Sequence, residues 1–181
     1  MHLEVKIEEV KIEGLEKFKA FLDTKVWYKA QKRTMTEMGR KFRARVVKDV
    51  RKVYNVKAKD LKKRIRTRIE KRSAGDVEWR MTVKGSPMSL THFGARQTKK
   101  GVNVLIRKDE GRKILVETFA AKGQVFQRKG KGRLPIVAKK TLSAPQMFNE
   151  KTMKTAFEEV RNEYPKRFEH NLNFYLDKVV K

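Results

Sequence analysis

Residues 27–53 read WYKAQKRTMTEMGRKFRARVVKDVRKV, and in them Trp27, Ala30, Met35, Met38, Phe42, Val46, Val50 and Val53 recur at steps of three and four with a single step of five. That period gathers them on one face of a helix of about eight turns. The outer positions hold Lys29, Lys32, Arg33, Arg40, Arg43, Lys48, Arg51 and Lys52. One side of the helix therefore packs on a core, and the other is a basic ridge. A Met and aromatic stripe at this spacing is core and not a cofactor box.

Working outward, Leu3, Val5 and Ile7 alternate with charged neighbours, the two-residue period of a short edge strand. Leu15, Phe18, Phe21 and Leu22 have helical spacing after Gly14, and Asp23-Thr24 reads as an N-cap for the long helix. Downstream, residues 58–64 suggest a short helix, Ile65 to Ile69 a strand, and Val77, Trp79, Met81 and Val83 a second strand broken at Gly85-Ser86-Pro87. Strand signals recur at 102–107, 113–119 and 124–128. Their connections, 94–101, 108–112 and 128–133, are rich in Gly and Lys. Glycine permits tight turns while Lys and Arg seek water or a partner, so 90–140 reads as a sheet with projecting basic arms.

Ser143-Ala144-Pro145-Gln146 has capping-box spacing and should start a helix. Met153, Phe157, Val160, Tyr164, Phe168, Leu172, Tyr175 and Val179 continue helical spacing, with a kink or break expected at Pro165. The expected fold is α+β. It comprises an antiparallel sheet, a long amphipathic helix in the N-terminal half and a C-terminal helix, in a single domain over 1–181 with an extended basic arm region within 90–140.

The chain has 181 residues, Lys+Arg 47 against Asp+Glu 21, a net charge of +26 and no cysteine. Residues 1–24 sum to −2 and residues 150–181 to +1, whereas 25–72 sum to +16 and 73–149 to +11. The excess charge is confined to the middle. Such unbalanced charge repels itself until a polyanion, nucleic acid or acidic protein, sits against it; a solvated face is the alternative. Zero cysteine excludes disulfide scaffolds, thiolate zinc sites, iron–sulfur clusters and cysteine nucleophiles. No window approaches the ~18 apolar residues of a membrane span, and the charged N-terminus is unlike a signal peptide, so no membrane partner is expected.

Candidate chemistry is sparse. Ser73, Ser86, Ser89 and Ser143 lack a nucleophile-elbow context, and His2, His92 and His170 lie far apart. The KGKG stretch at 129–132 fails as a phosphate-binding loop: Gly123 to Gly130 is too long a gap, and Gly132 follows Lys131 where a hydroxyl is needed. Asp76 and Glu78, with Arg80, weakly suggest a metal-dependent nuclease; a salt-bridged strand face is the plainer reading. No catalytic residue, metal ligand or cofactor is expected. Arg40, Arg43, Lys48 and Arg51 on the long helix, and Arg96, Lys99, Lys100, Arg107, Arg128, Lys129, Lys131 and Arg133 on the arms, are the candidate contacts to a partner or DNA. Aromatics near the arms are few, only His92, Phe93, Phe119 and Phe126, which favours backbone or shape contact over base reading.

Three segments carry a family resemblance: FGARQTKKGV at Phe93 to Val102, K-G-x-x-R-L-P-I at Lys129 to Ile136, and P-Q-M-F at Pro145 to Phe148. In that order they resemble the minor tail protein Z family of long-tailed bacteriophages and prophages, as does the R-x-R-V-V run at Arg43 to Val47. The resemblance covers most of the chain and is only general over residues 1–24 and the last thirty. It implies a structural, non-enzymatic role in completing the tail at its head-proximal end, beside tail terminator, tail tube and neck proteins. It also implies a homo-oligomeric ring, for instance a hexamer, with the DNA end as a further contact. The location it implies is the virion tail, and the host cytoplasm during assembly. A sequence-nonspecific nucleic-acid-binding protein is the alternative that composition favours.

Overall fold

A computed structural model describes residues 2–7, 24–71 and 76–180. The helix expected near residues 15–22 and the cap at Asp23 lie outside these. In chain order the strands are β1 (His2–Ile7), β2 (Ile65–Lys71), β3 (Val77–Lys84), β4 (Pro87–Ser89), β5 (Arg96–Thr98), β6 (Gly101–Val104), β7 (Lys113–Val116), β8 (Thr118–Ala121), β9 (Gln124–Arg128), β10 (Ile136–Ala138) and β11 (Lys140–Ser143). The helices are α1 (Thr24–Val53), α2 (Ala58–Lys62), α3 (Ala144–Met147) and α4 (Glu150–Val180), with a 3-10 turn at Leu90–Phe93. The fold is α+β, with the long helix and the C-terminal helix where periodicity placed them. Contacts group the chain into two compact units.

One unit comprises residues 4–46, 66–82 and 153–181. Here β1, β3 and β2 form a sheet in that order, which leaves β1 at the edge as its alternation implied. The apolar stripe of α1 is buried: Trp27, Ala30, Met35, Met38, Phe42 and Val46 are nearly or wholly inaccessible. Phe42 meets Trp79 edge-on at 5.8 Å and Phe157 at 4.8 Å, and Trp27 meets Phe168 at 5.1 Å. Gly39 explains how the Trp79 indole can lie against the helix, since a Cβ there would fall 2.2 Å from its Nε1. Buried Asn171 donates to Thr34 Oγ1 at 2.9 Å, and Thr34 donates on to the Ala30 carbonyl. The break expected at Pro165 does not occur, and α4 is continuous from Glu150 to Val180. Tyr164 and Phe168, flanking the proline, are both buried, and that packing outweighs one missing amide donor.

The other unit comprises residues 1–3, 47–65 and 83–152. Its strands make separate small antiparallel sheets, β5-β6-β7, β10-β9-β8 and β11-β4, where one sheet with arms was expected. Val50, Tyr54, Leu61, Met88, Phe93, Val102, Val125, Met147 and Phe148 fill its core. Residues 53–55 are stitched to 106–108 by Asn55 N–H to the Ile106 carbonyl and Lys108 N–H to the Val53 carbonyl. The capping box at Ser143 and Gln146 is present, but its helix α3 is one turn long and ends before α4 begins.

Two further expectations are corrected. Residues 113–119 are not one strand: Glu117 adopts φ 59°, which ends β7 and sends the chain into β8 of a different sheet. Residues 94–101 are not an open arm: Arg96–Thr98 pairs with Gly101–Asn103 across the two-residue turn Lys99-Lys100.

Candidate polyanion-binding groove

The second unit described carries a groove of about 610 Å³ lined by Lys99 and Lys100 of the β5–β6 turn, Glu117 and Phe119 at the β7–β8 junction, Arg128 at the end of β9, and Lys129 and Lys131 just after it. Each wall has a local cause. Gly101 sits at φ 143°, and a Cβ there would lie 2.0 Å from the Leu115 carbonyl oxygen, so glycine alone lets β7 approach the hairpin closely. Thr98 Oγ1 donates to the Gly101 carbonyl at 2.8 Å and fixes the turn that holds Lys99 and Lys100.

The junction is fixed by a buried hydroxyl. Thr118 Oγ1 accepts the Val102 N–H at 3.1 Å and donates to the Leu115 carbonyl at 2.6 Å, tying β8 to β6 and β7. Gln97 adds a second tie. Its Oε1 accepts the Ala120 N–H at 2.9 Å while its Nε2 donates to the Thr98 and Gly101 carbonyls. The β8–β9 hairpin closes through Lys122 and Gly123, both at positive φ, as a tight turn of matching twist requires. Phe119 and Phe126, paired across it, stack at 5.8 Å, and the Arg128 guanidinium lies 5.5 Å from the Phe119 ring centre. Arg128 is thereby pre-placed on an aromatic surface.

Of the twelve candidate cations, the fold brings together Lys99, Lys100, Arg128, Lys129 and Lys131. Among the described residues Glu117 is the single carboxylate lining the groove, and none of the five cations is ion-paired there. The other seven are elsewhere. Arg107 is engaged by Asp109, at 2.7 Å, and by Glu110; the guanidinium holds the Asp109 carboxyl below the usual range. Arg51 donates to the Val56 carbonyl, and Arg43 is half-buried. Arg96, Arg133 and Lys48 are exposed outside the groove, and Arg40 lines a hollow of about 310 Å³ with Lys29, Lys32, Arg33 and Glu37 in the helical unit. Gln97, Glu117 and Thr118 were not among the candidates, and no local sequence signal marks them.

Of the two carboxylates considered for a nuclease, Glu78 is engaged by a guanidinium. Glu78 is buried and accepts Arg80 Nε and Nη2 at 3.1 and 3.0 Å, while Arg80 also pairs with Glu4 at 3.2 Å and Glu70 at 3.3 Å. This is a salt-bridged strand face. No group of three or more His, Cys, Asp or Glu among the described residues is placed to hold a metal ion. His92 Nδ1 contacts Asp60 at 3.0 Å, joining the 3-10 turn to α2. Among the described residues no helix is long and apolar enough to cross a membrane.

Chemically, the groove offers concentrated positive charge, exposed ammonium groups and an aromatic-backed guanidinium, a combination suited to holding several phosphates or carboxylates at once. No family model, curated protein or solved structure matches the chain.

Proposed function

We propose that this chain is a tail-completion protein of a long-tailed phage or prophage. It sits at the head-proximal end of the tail, docks to terminator, tube and neck proteins, and acts by binding and not by catalysis. One observation carries the reading. The end of the Phe93–Val102 segment and the start of the Lys129–Ile136 segment, far apart in sequence, line the same cationic groove, whereas Pro145, Met147 and Phe148 of the third segment are core. Two stretches behind the resemblance thus share one surface, and the buried residues of the third lie within the same unit.

A homo-oligomeric ring of such protomers must overcome a net charge of +26 on each. Ring formation accordingly depends on acidic tail proteins or the DNA end, and it weakens with salt. The chain resides in the virion tail, and in the host cytoplasm while tails assemble. Cryo-electron microscopy of particles containing it tests the reading: density is expected at the tail's head-proximal end. Finished virions that lack the chain and infect normally would overturn it.

The groove also favours a second reading, sequence-nonspecific nucleic-acid binding, because Arg128 over Phe119 and the flanking lysines could track a phosphate backbone. Tight, steeply salt-dependent DNA binding by the isolated monomer, without tail proteins, would favour it.

A further inference from the structure

We propose that the free edge of β10 is a docking strand for an acidic β-segment of another protein. The inference goes beyond the tail reading and stands without it. In sheet β10-β9-β8 the two outer strands differ. The β8 edge is closed, its Ala120 N–H satisfied by the Gln97 side chain. The β10 edge is open, with no strand among the described residues paired to it.

The bonds from Lys129 N–H to the Pro135 carbonyl and from Lys139 N–H to the Val125 carbonyl set the ladder's phase. In an antiparallel pair alternate residues face the partner strand, so Pro135, Val137 and Lys139 face β9, and Ile136 and Ala138 turn their N–H and C=O groups outward. The same segment holds apolar side chains in solvent: Leu134 is 72% exposed, Ile136 39% and Val137 40%. An exposed, apolar, unpaired edge is a template for strand addition. The outer strand of the neighbouring sheet is similar, with Ile114 48% and Val116 64% exposed, and it lines an open hollow of about 390 Å³ walled by Lys139 and Lys140.

Charge decides the occupant. Lys129, Lys131 and Arg133 precede the strand, Lys139 and Lys140 follow it, and no Asp or Glu occurs between residues 118 and 149. A second copy would set its own Arg133 and Lys139 against these, like against like. Nucleic acid would satisfy the cations but leave the outward N–H and C=O groups and the apolar side chains without matching contacts. A strand alternating apolar residues with Asp or Glu satisfies all three.

The test uses the full chain and a short fluorescent peptide alternating valine with glutamate, with a valine–lysine peptide as comparison. Amide exchange on the unmodified chain should show Ile136 and Ala138 protected by the glutamate peptide, and affinity should fall as salt rises. Ile136→Lys should weaken binding about tenfold or more, equivalent to ~1.4 kcal/mol, while Ile136→Val retains it. Four results would overturn the proposal: no protection of Ile136 and Ala138; equal binding of the lysine peptide; equal protection by a DNA oligonucleotide; or self-association of the chain that Ile136→Lys abolishes, which assigns the edge to a second copy.

Discussion

Three cations of α1 and the five of the groove have opposite fates. On the helix, Arg33 reaches Glu37 at 3.2 Å, Arg45 reaches Glu159 at 2.6 Å, and Lys41 pairs with Glu163. Arg167 of α4 adds a second guanidinium to Glu37. Three of these pairs, Lys41–Glu163, Arg45–Glu159 and Arg167–Glu37, tie the two helices together, while Lys29, Lys32 and Arg40 line an open hollow. In the groove, Lys99, Lys100, Arg128, Lys129 and Lys131 meet Glu117 alone among the lining residues described. Similar residue types thus serve folding in one place and remain available in the other. What separates them is the supply of carboxylates: α4 brings Glu159 and Glu163 to α1, whereas residues 118–149 contain none.

The sharpest way to break the comparison is to remove the core on which the paired helix rests. Phe42 is fully buried among Trp79 and Phe157, so Phe42→Ala should cost about 3–5 kcal/mol, read from the denaturant midpoint. Loss of under ~1 kcal/mol would mean that α1 is held by its ion pairs and not by its stripe.

Next in size is the groove itself. Changing Lys99, Lys100, Lys129 and Lys131 together to Ala should lower affinity for a DNA duplex or polyglutamate by about a hundredfold at moderate salt, and for the duplex reduce the log–log salt slope by about 3 to 4. The melting temperature should hold or rise, because the change relieves repulsion. An unchanged slope would show that the polyanion sits elsewhere, for instance on Lys29, Lys32 and Arg40.

A smaller effect separates paired from unpaired charge by pH. Burial alone would push the Glu37 carboxyl up, yet hydrogen bonds from Arg167, Arg33 and Asn171 outweigh it and hold the carboxyl below its ordinary value. A depressed folded pKa stabilises the fold at pH above the ordinary glutamate value, and this contribution is lost as pH falls through the folded one. Glu37→Gln should therefore cost about 1–2 kcal/mol at neutral pH and shrink that acid-linked loss. Thermal melts across the acid range would show it. An identical pH profile in the variant would remove Glu37 from the account.

The long elements were legible because periodicity survives whatever packs on them: every member of the α1 stripe up to Val50 is buried. What escaped was set by contacts distant in sequence. Nothing local says that Glu117 will take φ 59° and split 113–119 between two sheets, or that Tyr164 and Phe168 will carry α4 through Pro165. The groove was half legible. Its five cations stood among the candidates by composition, but their convergence depends on Gly101 and Thr118, which read as an ordinary turn glycine and an ordinary strand threonine until β7 is placed beside the hairpin.

The smallest effect bears on what the exposed helix pairs are for. Lys41 and Glu163 are both roughly half exposed, so their contact gains little against solvent and side-chain entropy, and Glu163→Gln should cost under ~1 kcal/mol. The substitution also raises the net charge of a chain already at +26. If the pair matters mainly by cancelling charge, the variant's melting temperature falls at low ionic strength and converges on the unmodified chain's as salt screens the repulsion. If it matters as a specific contact, the difference persists at high salt. Convergence would place the helix pairs and the groove on one electrostatic scale, differing in whether this chain itself supplies the neutralising carboxylate.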